Sequence, residues 1–206
     1  MATFLLTLLI LIGYLSGSLC SAIVISRAFS LPDPLTEGSK NPGATNVLRL
    51  AGKKYALLVM VFDVLKGVVP VLLAKALGAS PLVTALTCLA AVLGHMYPVF
   101  FQFKGGKGVA TALGALLAFH FILGLAVILT WLLVASLSRY SSLASLISMA
   151  FMPFYSLLLF KGFAIFLPLL FITFFIFYKH RQNITRLLNG TESKISFKRV
   201  AATLDK

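Results

Sequence analysis

Long apolar segments recur along this chain and leave little polar surface for a water-soluble protein. They fall at about 3–25, 55–78, 81–101, 109–137, 141–160 and 162–178. A run of 18 or more apolar residues is long enough to cross the roughly 30 Å hydrocarbon layer of a bilayer as a helix. Because 60% of the residues are hydrophobic and 11% are charged, a normal polar exterior cannot be built. The sequence therefore predicts an all-α integral membrane protein with a single domain over residues 1–206.

The distribution of Lys and Arg predicts how these segments cross the membrane. No basic residue precedes Arg27, so we expect the first helix to be retained and the N-terminus to be periplasmic. Segment 109–137 has 29 residues, about 43 Å of helix, and should divide near His120 to Gly124 into two crossings. Seven transmembrane helices result, with a cytoplasmic C-terminus. Fifteen of the eighteen basic residues, including a basic tail at about 179–206, then lie inside.

The charge balance narrows the class of partner. Eighteen Lys and Arg stand against five Asp and Glu, a net charge of +13. Nucleic acid, anionic lipid headgroups or an anionic substrate could each suit such an excess, and part of it is an orientation signal. We expect membrane lipids and phosphate-bearing substrates as partners and no nucleic acid. Cys20 and Cys88 lie in apolar segments without a Cys/His cluster, so no disulfide, metal or cofactor is expected.

The polar stretch at residues 27–54 is rich in Pro and Gly and is typical of a loop. Its small residues would let backbone N–H groups approach an anion, and Ser39, Asn46 and Arg49 add side-chain donors. Arginine suits phosphate because its planar fork donates two parallel charge-assisted hydrogen bonds. An ordinary turn-rich loop carrying an orientation charge explains this segment equally well.

A second polar break surrounds two lysines with three glycines directly before an apolar helix. The residues are Lys104, Gly105, Gly106, Lys107 and Gly108. Such a turn can aim backbone N–H groups and a helix N-terminus at phosphate oxygens. It is not a Walker A motif, because a valine stands where Ser or Thr is needed. Three glycines in four positions exceed what a tight turn needs, which favours anion binding.

Two further donor-rich clusters follow the fifth and seventh predicted helices. They lie at residues 139–142, which include Ser142, and at residues 180–183, which include His180 and Asn183. Each alone is a typical basic helix end. Because the predicted topology places both on the same face as the two loops, the four segments together favour a shared anion site.

Charged and small residues inside the apolar segments indicate helix packing. Asp63 and Lys66 are spaced i, i+3 and can pair on one helix face. An unpaired carboxylate at mid-membrane costs roughly 2.5–3.5 kcal/mol, so we favour a structural ion pair over a role in organising substrate. His95 is interpreted as a hydrogen-bonded packing residue. Gly13 and Gly17 form a GxxxG motif, which predicts close helix contact.

Together these motifs closely resemble the bacterial PlsY family of membrane acyltransferases. The resemblance rests on residues 38–39 with 43–49, 62–67, 94–95 with 98–100, 104–111, 140–143 and 180–187. It implies transfer of a fatty acyl group from acyl phosphate to the 1-hydroxyl of glycerol 3-phosphate, giving lysophosphatidic acid in the first acylation of phospholipid synthesis. It further implies an inner-membrane protein with a cytoplasmic active site. The enzyme that supplies acyl phosphate is a candidate partner.

Site residues carried over from the resemblance divide between two phosphates. Ser39, Asn46 and Arg49 would contact phosphate. The loop of Gly105, Gly106 and Gly108, with Lys104 or Lys107, would hold the acyl phosphate. Ser142, His180 and Asn183 would complete the glycerol 3-phosphate site, and His180, Lys104 and Ser142 are the candidate catalytic residues.

One residue departs from the family pattern in a way that physical chemistry can judge. Lys40 stands where the family has a second glycine. If that position requires a positive φ, Lys40 is strained there and the placement of Ser39 is affected.

The proposed chemistry needs no covalent enzyme intermediate, because acyl phosphate is an activated anhydride with a good leaving group. The chain has no G-x-S-x-G nucleophile elbow. Direct attack by the glycerol hydroxyl would leave its proton to His180 or to the phosphate of glycerol 3-phosphate.

A transporter of phosphate or organophosphates is the alternative, since its broken helices and Gly-rich loops would look similar. Most candidate binding residues lie at one face, whereas a transporter usually places its site near the midplane.

Overall fold

The computed structural model describes residues 2–195, with side chains from Leu6 onward, so residues 196–206 of the predicted basic tail lie outside the described residues. Every regular element in the described part of the chain is helical, as the sequence predicts. The helices are α1 Ala2–Gly17, α2 Ser21–Ala28, α3 Ala44–Ala51, α4 Lys53–Ala76, α5 Pro81–Met96, a 3-10 helix Val99–Phe101, α6 Val109–Phe119, α7 Phe121–Ser138, α8 Ser141–Leu159, α9 Phe166–Lys179 and α10 Arg181–Leu188.

Among the described residues, four helical stretches are long and apolar enough to cross a membrane. They are Lys53–Ala76, Pro81–Phe101, Phe121–Ser138 and Ser141–Leu159. A fifth crossing results if α1 and α2, which meet at an angle of 42°, form one broken span. Helices α6 and α9 are also apolar but shorter, with 11 and 14 residues. The protein is therefore a multi-pass integral membrane protein.

The break in the first apolar segment differs from the single helix that hydropathy predicts. Its residues 18–20 are not helical, and the exposed carbonyl of Leu19 accepts a hydrogen bond from Lys66 Nζ at 2.8 Å. Water is not available at this depth to satisfy a backbone carbonyl. The lysine of α4 therefore makes the break possible, which no pattern within the segment itself could reveal.

The predicted division of segment 109–137 is confirmed. Helix α6 ends at Phe119 and α7 begins at Phe121, with His120 extended between them at φ −152° and ψ 112°. The chain then turns back on itself, because a β-carbon on Gly124 would lie 2.6 Å from the backbone nitrogen of Leu117. Lys75 Nζ donates to the carbonyl of Phe119 at 3.2 Å, which satisfies the end of α6.

Glycine contacts hold the helices close together, as the GxxxG motif predicts. A β-carbon on Gly17 would overlap the carbonyl of Ala91 in α5, and one on Gly94 would overlap the carbonyl of Tyr14 in α1. The two backbones thus meet without side chains between them, which maximises dispersion contacts where lipid offers no hydrophobic driving force. This crossing fixes α5, whose C-terminal end supports the site.

The stretch at residues 27–54 is not wholly a loop, contrary to its composition. Its second half contains α3, which begins after Gly43 and ends at Gly52, where φ is 83°. Two residues of the predicted site, Asn46 and Arg49, therefore lie on a short helix, while Ser39 lies in the loop before it. Proline and glycine in this segment mark the ends of α3 instead of excluding a helix.

Candidate active site

The loop before α3, called loop 1 here (residues 29–43), is organised by one buried amide. Asn46 is 1% exposed. Its Oδ1 accepts from the backbone N–H of Ser39 at 2.8 Å, and its Nδ2 donates to the carbonyls of Pro34 at 3.2 Å and Glu37 at 3.0 Å. Asn46 therefore holds the loop in shape, while the side chains of Ser39 and Arg49 are exposed.

Lys40 adopts the left-handed backbone conformation that the sequence comparison led us to suspect. Its φ is 54°, beside Gly38 at 62°. A residue with a β-carbon is disfavoured in this region, so the lysine is strained where the family's glycine would not be. The hydrogen bond from Ser39 to Asn46 keeps the neighbouring residue in place despite that strain.

The glycine-lysine segment, called loop 2 here (residues 102–108), packs directly on the end of α5. The backbone N–H of Gly106 donates to the carbonyl of His95 at 3.1 Å. A β-carbon on Gly106 would overlap His95 Nε2 and would lie 2.9 Å from the carbonyl oxygen of Pro42 in loop 1. The two loops are thus in contact through the backbone, as the sequence argument for a shared site requires.

A chain of hydrogen bonds links loop 2 to α10 and to α8. Lys107 Nζ donates to Asn183 Oδ1 at 2.5 Å. Asn183 Nδ2 donates to Glu192 Oε1 at 2.6 Å, and Ser142 Oγ donates to the same oxygen at 2.7 Å. Arg186 Nε lies 2.7 Å from Glu192 Oε2. Three segments that are distant in sequence, namely loop 2, the start of α8, and α10 with the residues after it, therefore share one polar cluster.

Lys107 is the cation at the centre of this cluster. Burial lowers the pKa of its ammonium to about 8, an effect that Glu192 opposes and that the positive charges of Arg186 and Arg49 reinforce. The positive charge of Arg49 on α3 thus acts on the ammonium of loop 2. An ammonium held beside other cations favours a phosphate as its partner, since a phosphate relieves the repulsion between them.

His180, 3% exposed, lies at the junction of α9 and α10. Its Nδ1 is 2.8 Å from the carbonyl oxygen of Ile176. A carbonyl oxygen only accepts hydrogen bonds, so Nδ1 carries the proton and Nε2 keeps its lone pair. Burial, with the nearby charge of Lys107, lowers the pKa of His180 to about 4. The imidazole is therefore neutral at physiological pH and able to accept a proton through Nε2.

Some of the site residues expected from the sequence lie in the polar cluster and others lie outside it. Lys107, Ser142, His180 and Asn183 lie in or beside the polar cluster. Lys104, the other candidate lysine, is exposed, and the hydrogen bond to Asn183 is made by Lys107 instead. Asn46 uses both ends of its amide inside loop 1.

Glu192 is a site residue that sequence reasoning missed. It accepts from three side chains, and these hydrogen bonds hold the pKa of its carboxyl below the ordinary value even though burial alone would raise it. The available signal was weak: Glu192 is one of five acids in the chain and stands within a basic tail. A cluster of buried donors generally requires such an acceptor.

Comparison with known proteins bears on the identity of this site. The sequence model of a family described as glycerol-3-phosphate acyltransferase matches residues 7–190. The glycerol-3-phosphate acyltransferase of Legionella pneumophila strain Corby is 64% identical over 190 residues, which are 92% of this chain and 69% of that protein. The protein of the same name from Methylococcus capsulatus is 50% identical over 193 residues, 94% of this chain and 98% of that protein.

Two solved structures share the fold. Both are crystal structures of PlsY (YgiH), described as an integral membrane glycerol 3-phosphate acyltransferase. The glycerol 3-phosphate form superposes with a TM-score of 0.87 at 42% identity, covering 93% of this chain and 96% of that chain. The lysophosphatidic acid form superposes with a TM-score of 0.84, covering 93% and 95%.

The Glu192 contacts predict a measurable loss of stability. We expect Glu192→Gln to lower the free energy of unfolding by about 1–3 kcal/mol, because a buried charged acceptor of three donors is replaced by an amide. The midpoint of thermal unfolding in detergent can be followed by reaction of the buried thiols of Cys20 and Cys88 with a fluorogenic dye. Glu37→Gln, at an exposed position in loop 1, is the matched control. Equal midpoints for the two variants would contradict the prediction.

Proposed function

The chain belongs to the glycerol-3-phosphate acyltransferase family, and from this premise we propose that its acyl donor is acyl phosphate. The enzyme acylates the 1-hydroxyl of glycerol 3-phosphate and forms lysophosphatidic acid. Its relatives and structural neighbours are acyltransferases, so a transporter is not supported. With acyl phosphate as donor, inorganic phosphate leaves, and neither coenzyme A nor acyl carrier protein takes part directly.

The hydrogen bond between Lys107 and Asn183 is the observation that carries this proposal. It ties loop 2, the candidate holder of the acyl phosphate, to α10, the candidate holder of glycerol 3-phosphate. Loop 1 adds Ser39 and α3 adds Arg49, and the Pro42 carbonyl of loop 1 faces Gly106. Two phosphorylated reactants bound by these segments would lie side by side. Because binding would already have oriented them for attack, the activation free energy of the acyl transfer would be lower.

The arrangement suits direct acyl transfer. The glycerol 1-hydroxyl oxygen attacks the acyl carbon, a new ester C–O bond forms, and the C–O bond to phosphate breaks with its electron pair leaving on the phosphate. Lys107 and the exposed Arg49 stabilise that departing charge. The hydroxyl proton passes to His180 Nε2 or to the phosphate of glycerol 3-phosphate. Ser142 is placed to orient the hydroxyl, while Lys104 remains a candidate for drawing the acyl phosphate from the bilayer surface.

The site implies a defined arrangement in the membrane. We propose one domain over residues 1–206 with seven crossings. The α1–α2 pair forms the first crossing, each of α4 to α9 forms one more, and α3 lies at the membrane interface without crossing it. Support comes from the turns that meet at one end, where the His120 and Phe160 rings lie 5.1 Å apart and Lys75 reaches the last turn of α6. Loops 1 and 2 lie at the other end with the cytoplasmic tail, and the membrane is the bacterial inner membrane.

This arrangement predicts the location of both ends of the helices. A green fluorescent protein fused after Lys206 should fluoresce, since its end is cytoplasmic. Alkaline phosphatase inserted after Gly78, in the turn between α4 and α5, should be active because it is periplasmic. Phosphatase activity after Lys206 would overturn the topology.

Donor identity is tested with purified protein, glycerol 3-phosphate and either palmitoyl phosphate or palmitoyl-coenzyme A. We expect one lysophosphatidate and one inorganic phosphate per turnover with palmitoyl phosphate, and no product with the thioester. Arg49→Ala should lower kcat/KM by at least about 100-fold, because charge-assisted phosphate bonds contribute about 1.5–3 kcal/mol each. Lys53→Ala, another exposed cation close by, should change it less than about threefold. Product from the thioester alone would disprove the donor.

The same assay separates the two proton acceptors. Near-normal turnover by His180→Gln would exclude histidine as an obligatory base and assign the proton to the substrate phosphate. A loss of at least about 100-fold in kcat, within the range typical of general bases, would assign it to His180.

The pH dependence of kcat/KM follows from Lys107. Its pKa is lowered to about 8, so the cation is present below that pH and is lost as the pH rises through it. The substrate phosphate gains its second charge near pH 6. We expect kcat/KM to rise through pH 6 and to fall near pH 8. Lys107→Arg, whose guanidinium does not titrate in this range, should lack the alkaline fall; an unchanged fall would assign it to another group.

A further inference from the structure

A buried charged cluster lies behind loop 2 and has no part in the proposed reaction. Asp63 and Lys66 of α4 and His95 of α5 are 2%, 6% and 5% exposed. Lys66 Nζ is 2.7 Å from Asp63 Oδ1, which confirms the pairing predicted from their spacing. His95 Nδ1 is 3.5 Å from the same oxygen. Charged groups inside membrane segments are costly and generally serve a function.

The cluster reaches the bases of both phosphate-binding loops. On one side, Lys66 Nζ donates to the carbonyl of Leu19 at 2.8 Å, directly before α2, the helix that leads into loop 1. On the other side, the His95 carbonyl accepts the N–H of Gly106, and the His95 ring lies against Gly106 so closely that a β-carbon there would overlap Nε2. The packing that the sequence indicated for His95 is therefore made against Gly106 of loop 2.

Gly106 is confined between two groups. His95 Nε2 and Cε1 face it from α5, and the Pro42 carbonyl faces it from loop 1. Lys107 follows directly, so any shift of Gly106 moves the lysine that bonds to Asn183. His95 Nδ1 faces Asp63 Oδ1 at 3.5 Å, without a hydrogen bond between them, and Lys66 pairs with the same oxygen. A continuous series of contacts thus connects the Asp63–Lys66 pair through His95 and Gly106 to Lys107.

We propose that His95 is a positioning residue, oriented by the Asp63–Lys66 pair, whose ring sets the place of Gly106 and thereby of Lys107 against the substrate phosphates. The proposal deepens the proposed function and rests on it. The His95 ring occupies the space that a side chain at position 106 would need, so glycine at this position and histidine at position 95 fit each other. A residue that only fills space would support the fold without setting the position of Lys107.

The test exchanges volume between the two positions. Gly106→Ala should raise KM at least about tenfold for palmitoyl phosphate and, through the hydrogen bond between Lys107 and Asn183, also for glycerol 3-phosphate, because its methyl group displaces loop 2. His95→Asn keeps an amide nitrogen where Nδ1 faces Asp63 but removes Cε1 and Nε2, so it opens the space that the methyl group needs. In the His95→Asn background, the effect of Gly106→Ala on KM should be at least about threefold smaller, with a residual defect because the methyl group still lies 2.9 Å from the Pro42 carbonyl. The kcat should change less than KM, since Ser142 and His180 stand on other helices.

Gly105→Ala is the matched control. A β-carbon there would overlap the backbone carbonyl of His95, which no substitution of the His95 side chain can move, so its defect should persist in the His95→Asn background. Thermal midpoints of all variants are measured in parallel. If the effects of His95→Asn and Gly106→Ala multiply as independent changes, or if Gly105→Ala is rescued equally well, the proposal is wrong.

A second background variant and a binding measurement complete the test. His95→Ala provides a second background that opens the same space without the contact to Asp63, should His95→Asn fold poorly. If wild-type protein makes no product from palmitoyl phosphate, the proposed donor fails. The coupling is then read from the Kd of glycerol 3-phosphate, measured by calorimetry, which does not depend on the donor. A Kd that shows no coupling overturns the positioning role by itself.

Discussion

Backbone carbonyls inside a bilayer have no water to bind, and in this protein lysine ammonium groups satisfy them. Lys66 caps the broken first span at Leu19, Lys75 caps the last turn of α6, and Lys179 donates to the carbonyl of Met96 at the end of α5. Each of these lets a helix stop or bend where an apolar neighbour could not. The interruption at Leu19 leads through α2 into loop 1, and the end of α5 leads through the 3-10 helix into loop 2, so the site depends on these two, whereas the turn held by Lys75 lies at the opposite end.

In the site itself, one carboxylate balances several neighbouring cations. Several cations lie around Lys107, and both burial and their positive charges lower the pKa of its ammonium group. Glu192 counteracts this by placing a carboxylate against Ser142, Asn183 and Arg186. One acid thereby keeps the donors aligned and the lysine largely charged at neutral pH. An anionic substrate would then meet donors that are already oriented, which lowers the cost of binding.

Much of this organisation could be predicted from the sequence. Hydropathy and length predicted the division at His120, and the i, i+3 spacing predicted the pairing of Asp63 with Lys66. The break before α2 could not be found, because the group that stabilises it lies in α4, far along the chain. The helix α3 was missed because its bounding glycines and proline resemble those of a loop. Glu192 was missed because one of its three partners, Ser142, lies on α8, far from Glu192 in sequence.

By itself, the sequence determined that the chain lies in the membrane, and it predicted that the charge gathers at one face and that the chemistry there concerns phosphate. These follow from composition and local spacing. Only the tertiary structure distinguishes Lys107, which bonds to Asn183, from Lys104, which is exposed. Both lysines border the same glycines, and their local chemistry is equivalent. Loop 2, however, is held against His95 of α5 and Pro42 of loop 1, and that contact directs Lys107 inward while Lys104 stays exposed.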